Sequence, residues 1–126
     1  MEVIKFTSLL AAILLGALAC VGAAEPPSGA QAASDKLLAA IASGDYAAFV
    51  AEGDAAFKGL KKEEFDAVAA QLGPRFESGY EATYLGDLNQ KGYQVTLWRL
   101  RFKAGGDDAL ATLSLKDGKI GGYWIR

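Results

Sequence analysis

The stretch YQVTLWRLRFK, residues 93–103, decides the fold, because it is the longest run of β-favouring residues in the chain. Its apolar alternation changes phase midway: Val95 and Leu97 are apolar at odd positions, whereas Trp98 and Leu100 are apolar at even ones. Two apolar sets that are out of phase cannot share one face of a regular strand. We therefore predict a β-bulge near Leu97–Trp98 that bends this central strand. The alternative is a strand that is buried on both faces.

The residues on either side of this strand predict an antiparallel meander. Alternating apolar and polar residues indicate strands at Phe76–Leu85, Ala109–Lys116 and Ile120–Ile125, and turn-forming residues lie at Asn89–Gly92 and Ala104–Asp107. Asp117-Gly118 is a typical two-residue hairpin signal between the last two strands.

The first half of the chain predicts three helices. The first follows a cap at Ser34 or Asp35 and ends at Gly44, and the second follows a cap at Asp45 and ends at Gly53. The third runs from Lys61 to Leu72 and is stopped by Gly73-Pro74, while residues 54–60 fit no single pattern. The fold class is therefore α+β, with three N-terminal helices on one face of a strongly bent four-stranded antiparallel sheet.

The N-terminus has the features of a secretory signal peptide. Lys5 precedes an apolar stretch, shorter than the ~20 residues of a spanning helix, that ends in small residues before Glu25. We predict a signal peptide over residues 1–24, a flexible leader over 25–33 and one domain over 34–126. The location is then periplasmic or secreted. Alternatively, Ala17-Leu18-Ala19-Cys20 is similar to a lipoprotein box, and a lipidated Cys20 would anchor the protein to an envelope membrane.

Four segments of the domain together resemble the nuclear transport factor 2-like (cystatin-like) superfamily, in particular its small exported bacterial members. They are LLAAIASGDYAAFV, LKKEEFDAVAAQLGP, YQVTLWRLRFK and LKDGKIGGYWI. The resemblance implies a cone-like sheet that wraps the helices and leaves a pocket between them. Members include isomerases, dehydratases and binding modules, so the fold does not settle the function.

Composition excludes several kinds of chemistry. The chain has no histidine, and its one cysteine lies in the expected signal peptide. Histidine-dependent nucleophilic catalysis, ordinary haem ligation and zinc sites of imidazole or thiolate are therefore excluded. We expect no cofactor and no metal. The 13 basic and 15 acidic residues are interspersed, so nucleic acid is not an expected partner.

The aromatic residues of the strands offer walls for a ligand. Tyr80, Tyr84, Trp98 and Trp124 could line a pocket for a small molecule, or they could simply form the core. We expect a non-enzymatic module that binds a small apolar ligand or a protein partner, and homodimerisation is a further option.

The alternative function is an isomerase or dehydratase of the ketosteroid-isomerase-like type, as the resemblance would imply. Its candidates are Asp54 and Glu81 as carboxylates, with Tyr80 and Tyr84. However, Asp54 has the sequence context of a helix cap or a loop residue, and Glu81 lies on the polar face of its strand. Arg99 and Arg101 either form a solvated outer face or bind an anion or a partner.

Overall fold

The computed structural model describes residues 25–126, in which four helices precede four strands. The helices are α1 (Ala30–Ser43), α2 (Tyr46–Val50), α3 (Ala55–Lys58) and α4 (Lys62–Glu77), and the strands are β1 (Tyr80–Gln90), β2 (Tyr93–Phe102), β3 (Ala109–Lys116) and β4 (Lys119–Ile125). The strands form one antiparallel sheet in the order β1-β2-β3-β4, and the helices pack against one face of it. The α+β class and the meander are confirmed, but the helices number four instead of three. The predicted signal peptide, with Cys20, lies outside the described residues.

β-bulges lie in β1 and, at Gly121, in β4, and not in β2 as predicted. Pairing of β2 with β3 is unbroken, whereas the register of β1 shifts so that Leu85 is an extra residue between Tyr84 and Gly86. β2 is instead buried on both faces: Trp98 is fully buried against the helices, and Val95 is only 7% exposed on the other side. The phase change therefore reflects two apolar faces of one regular strand.

The centre of the core contains a satisfied polar chain. Trp98 Nε1 donates to Thr96 Oγ1 at 2.9 Å, and Thr96 Oγ1 donates to the Leu113 carbonyl at 3.3 Å. All three residues are fully buried. Because each buried donor has an acceptor, the indole is buried without an unpaired polar group.

Helix α1 begins at Ala30, before the predicted caps at Ser34 and Asp35. Its N-terminal neighbour Gly29 makes no side-chain cap, and Ala30 and Ala33 are buried in the core. Burial of these methyl groups extends the helix into the segment 25–33, which was predicted to be flexible. The predicted end at Gly44 is confirmed, since this glycine has a left-handed φ of 70°.

Helix α4 runs through Gly73 and Pro74 to Glu77, so the predicted stop is wrong. Phe76, in the added turn, is 3% exposed and packs against Tyr80 and Phe102 with ring centroids 5.3 Å apart. Burying that ring offsets the hydrogen bond that proline removes. β1 therefore starts at Tyr80 instead of Phe76.

The predicted short connections are largely confirmed. Asp45 accepts from Ala48 N to cap α2, and the unassigned residues 54–60 contain α3, which Asp54 caps through Phe57 N. The β3–β4 turn is Asp117-Gly118. The β1–β2 turn is shorter than predicted, because Gln90 pairs with Tyr93 across only two residues.

Candidate functional site

The largest apolar concavity described is a groove between the helices and strand β4, with a volume of about 920 Å³. We call it the α4–β4 groove. Its helical wall comprises Phe49, Phe57, Leu60, Phe65, Val68 and Leu72, and its strand wall is Gly121 to Arg126. The volume lies within the range of small-molecule sites, which are mostly apolar and carry few polar groups.

Phe49 organises the floor of the groove. Its ring centroid lies 5.3 Å from that of Phe57, 4.9 Å from that of Phe65 and 6.3 Å from that of Tyr123. The Tyr46 hydroxyl donates to the Leu60 carbonyl and thereby fixes the turn between α3 and α4. Two short capped helices thus hold an aromatic wall in front of the edge strand.

The charged groups of the groove lie at its rim. Glu64 is exposed in the first turn of α4, where the helix dipole favours a carboxylate. Arg75 donates to the Asp107 carbonyl at 2.8 Å, and its guanidinium lies 3.9 Å from the centre of the Phe102 ring. The cation of Arg75 is therefore already engaged by the protein.

The four aromatic residues predicted to line one pocket do not share a wall. Trp98 is fully buried, with the Tyr84 ring 5.2 Å away, and Tyr80 packs on Phe76. Trp124 is 52% exposed, and it alone of the four lines the α4–β4 groove. The strand register explains why Trp98 and Trp124 are separated. Trp98 pairs with Ala111, which pairs with Ile125, so Trp98 and Ile125 face the same side of the sheet. Trp124 is the neighbour of Ile125 and therefore faces the opposite side.

The sequence analysis did not identify the helical wall of the groove. Phe65, Val68 and Leu72 form one apolar helix stripe, which predicts core packing equally well. Only the structure shows that Val68 is 44% exposed. The available signal for a groove was an apolar helix stripe that is longer than the sheet covering it. The sequence does not show where the sheet ends, so this signal could not be used.

A cluster of three hydrogen-bonded polar side chains lies on β1 and β2, apart from the α4–β4 groove. The Tyr84 hydroxyl donates to Asp87 Oδ1 at 2.7 Å, and Gln94 Nε2 donates to Asp87 Oδ2 at 3.1 Å. The bond to Asp87 raises the pKa of Tyr84 to about 12, and the bonds from Tyr84 and Gln94 lower the pKa of Asp87. Residues three apart on a regular strand face opposite sides, and the extra residue Leu85 brings this pair together. The predicted turn at 89–92 gave no reason to single out Asp87.

The other predicted polar candidates lie apart from this cluster. Asp54 caps α3 and Glu81 is exposed, both as expected from the sequence. Arg101 lies 3.7 Å from Asp108, while Arg99 is half-buried. Among residues 25–126, no group of three acidic, histidine or cysteine side chains could hold a metal ion.

Two buried hydroxyls lie close together between α1 and β4. Burial raises the pKa of Tyr123, and the neighbouring Ser34 hydroxyl opposes that shift. Neither oxygen makes a hydrogen bond of normal geometry in the part of the chain that is described. Burial also raises the pKa of Tyr80, and the charge of Asp35 raises it further.

No protein-family model matches this chain, and no curated protein matches its sequence. None of the helices within residues 25–126 is both long and apolar enough to cross a membrane.

Proposed function

We propose that the protein is a non-enzymatic binding module that holds a small apolar ligand in the α4–β4 groove. The observation that carries this proposal is the groove itself, which combines an aromatic helical wall with charged groups at the rim. A ligand would gain affinity from apolar burial, at about 25 cal/mol per Å² removed from water. Orientation would come from the few polar groups at the rim.

The isomerase or dehydratase alternative has less support. The one close carboxylate–tyrosine pair described is Asp87 with Tyr84, and both side chains are accessible to solvent. The raised pKa of Tyr84 makes it a weaker proton donor at neutral pH, and the lowered pKa of Asp87 makes it a weaker base. Both shifts are opposite to those that tune general acids and bases toward neutral pH.

Export is part of the proposal and is inferred from residues 1–24. Membership of the nuclear transport factor 2-like superfamily, which the domain resembles, is a further part of the proposal. The cone-like sheet of that superfamily would deepen the groove. Intact-mass measurement of protein from the cell envelope tests the export. A mass beginning at Ala24 or Glu25 is expected, a lipid-modified Cys20 would indicate an anchored form, and an intact Met1 in the cytoplasm would contradict export.

Ligand binding can be tested with N-phenyl-1-naphthylamine, a neutral apolar fluorophore. We expect saturable binding that Val68→Lys weakens at least tenfold, or about 1.4 kcal/mol, because the new charge lies in the apolar wall. Val68 is 44% exposed, so the variant should fold normally.

Leu85→Lys is the matched control. Leu85 is 53% exposed on β1 and is not part of the groove wall. Probe binding that is weakened equally by both variants, or by neither, would contradict the assignment of the groove.

A further inference from the structure

Strand β4 is an edge strand whose outer main-chain groups are only partly paired. Leu110 and Arg126 exchange both main-chain hydrogen bonds, at 2.8 and 3.0 Å. In an antiparallel ladder these groups alternate in direction, so those of Trp124 and Arg126 point to β3, and those of Tyr123 and Ile125 point away from it. Among residues 25–126, no main-chain partner lies opposite Tyr123 or Ile125 on that side.

The same edge already accepts an extended segment at its other end. Ile120 N donates to the Glu52 carbonyl at 3.0 Å, and Asp54 N donates to the Ile120 carbonyl at 2.8 Å. This parallel bridge ends where α3 turns the chain away from the sheet. The edge is therefore able to pair, and its last part has no partner within the described chain.

The two edges of the sheet are protected to different degrees. β1 carries the exposed acidic residues Glu81 and Asp87 and the bulge at Leu85, features that hinder pairing with another strand. β4 also has a bulge, at Gly121, but its register is regular from Gly122 to Ile125. β4 has no charged residue between Lys119 and Arg126. An unprotected apolar edge is a site at which another strand can pair.

We propose that two copies of this chain pair antiparallel through β4, about a two-fold axis at Trp124, to form one continuous sheet. In this register Tyr123 lies opposite Ile125 of the second copy, and each such pair exchanges both main-chain hydrogen bonds. All the free groups of Tyr123 and Ile125 are thereby satisfied. Arg126 lies opposite Gly122 of the second copy, so the two arginine cations stay apart.

The exposed Trp124 favours a second copy over a foreign peptide. In this register the two Trp124 residues form the non-hydrogen-bonded pair on the axis, with Cα atoms about 4.5 Å apart and side chains on one face. Aromatic pairs across strands are stabilising. The indole, now 52% exposed, would be covered by its own counterpart. A foreign strand could use the same hydrogen bonds but would lack this match.

The pairing uses main-chain groups of β4 and the Trp124 side chain, so it does not rest on the proposed ligand site. Tyr123 and Ile125 also border the α4–β4 groove, so the second strand would lie along the rim of the groove on its sheet side.

Sedimentation equilibrium and amide hydrogen exchange, both measured as a function of protein concentration, test the pairing together. We expect the mass to rise from one copy to two. The amides of Tyr123 and Ile125 should become at least tenfold more protected as it does, while those of Trp124 and Arg126 are protected throughout.

Trp124→Lys should weaken the dimer at least tenfold, because two ammonium groups would face each other across the axis. Leu85→Lys on the opposite edge should leave the dimer unchanged, and circular dichroism verifies that both variants fold. A single-copy mass up to millimolar concentration would overturn the proposal. So would a dimer without protection at Tyr123 and Ile125, or protection that needs a foreign protein.

Discussion

Trp98 is the residue on which the core depends most. It is fully buried on the helix-facing side of β2, whereas its neighbour Arg99 is half-buried on the other side. We expect Trp98→Ala to cost about 3–5 kcal/mol, from lost burial and the cavity left behind. Arg99→Ala should cost less than Trp98→Ala, because only part of the Arg99 side chain is packed and its Nε has no hydrogen-bond partner within residues 25–126 to lose. Urea melts of both variants decide this, and a reversed order of the two costs would contradict the register of β2.

Thr96 matters through its hydroxyl. Thr96→Val keeps the shape of the side chain but leaves Trp98 Nε1 buried without an acceptor. We expect a loss of about 1–3 kcal/mol in urea melts. The same change at the half-buried Thr112, whose side chain makes no hydrogen bond within residues 25–126, is the matched control and should be nearly neutral.

The Tyr84–Asp87 pair should control how Tyr84 titrates. The raised pKa of Tyr84 means that the pair stabilises the fold below pH 10, and that this contribution is lost as the pH rises through about 12. The lowered pKa of Asp87 means that its contribution is present above the ordinary value of 3.8 and is lost as the pH falls through the folded pKa. Asp87→Asn should bring the pKa of Tyr84 back toward 10, as NMR of labelled tyrosine rings would show. Asp107→Asn, in the β2–β3 loop, is the control and should leave the pKa of Tyr84 unchanged. A Tyr84 pKa that stays near 12 in Asp87→Asn would contradict the hydrogen bond between Tyr84 and Asp87.

At the scale of elements, two glycines at helix positions should respond differently to alanine. Gly73 lies inside α4 without a left-handed φ, and an added Cβ would lie 3.4 Å from the Ile41 carbonyl oxygen. The gain in helix propensity, about 0.5–1 kcal/mol, is offset because the ring of Pro74 crowds a Cβ on the helical residue before it, so Gly73→Ala should be nearly neutral. Gly44, at the end of α1, has open space around it but a φ of 70°, so Gly44→Ala should cost about 1–2 kcal/mol of backbone strain. Thermal or urea melts compare the two, and equal costs would contradict this account of the two helices.

At the scale of the whole molecule, the start of α1 decides how much chain the domain needs. Ala30 and Ala33 are buried, and Ala30 N donates to the Pro27 carbonyl at 3.0 Å. A chain that begins at Ser34 should lose about 1–2 kcal/mol, mainly from two buried methyl groups at about 0.8 kcal/mol each. A chain that begins at Glu25 keeps these contacts and is the reference in urea melts. Equal stability of the two chains would mean that the first turns of α1 contribute nothing.

The sequence by itself determined the features that depend on neighbouring residues. The cap at Asp45, the end of α1 at Gly44 and the hairpin at Asp117-Gly118 all lie where the sequence predicts them. Each is fixed by a hydrogen bond or a backbone conformation within a few residues. The α+β class followed from the change of apolar period between the two halves of the chain.

The tertiary structure alone decided where these local preferences are overridden. Gly73-Pro74 does not stop α4, because burial of Phe76 outweighs a lost hydrogen bond. The bulges lie in β1 and β4, where the registers of paired strands must match. The α4–β4 groove joins helix residues near Phe49 and Val68 to strand residues more distant in sequence, near Trp124. Local signals are each worth about 1 kcal/mol, whereas burying one large apolar side chain is worth about 1.5–3 kcal/mol. Which side chains are buried depends on contacts between distant segments, and those exist only once the chain has folded.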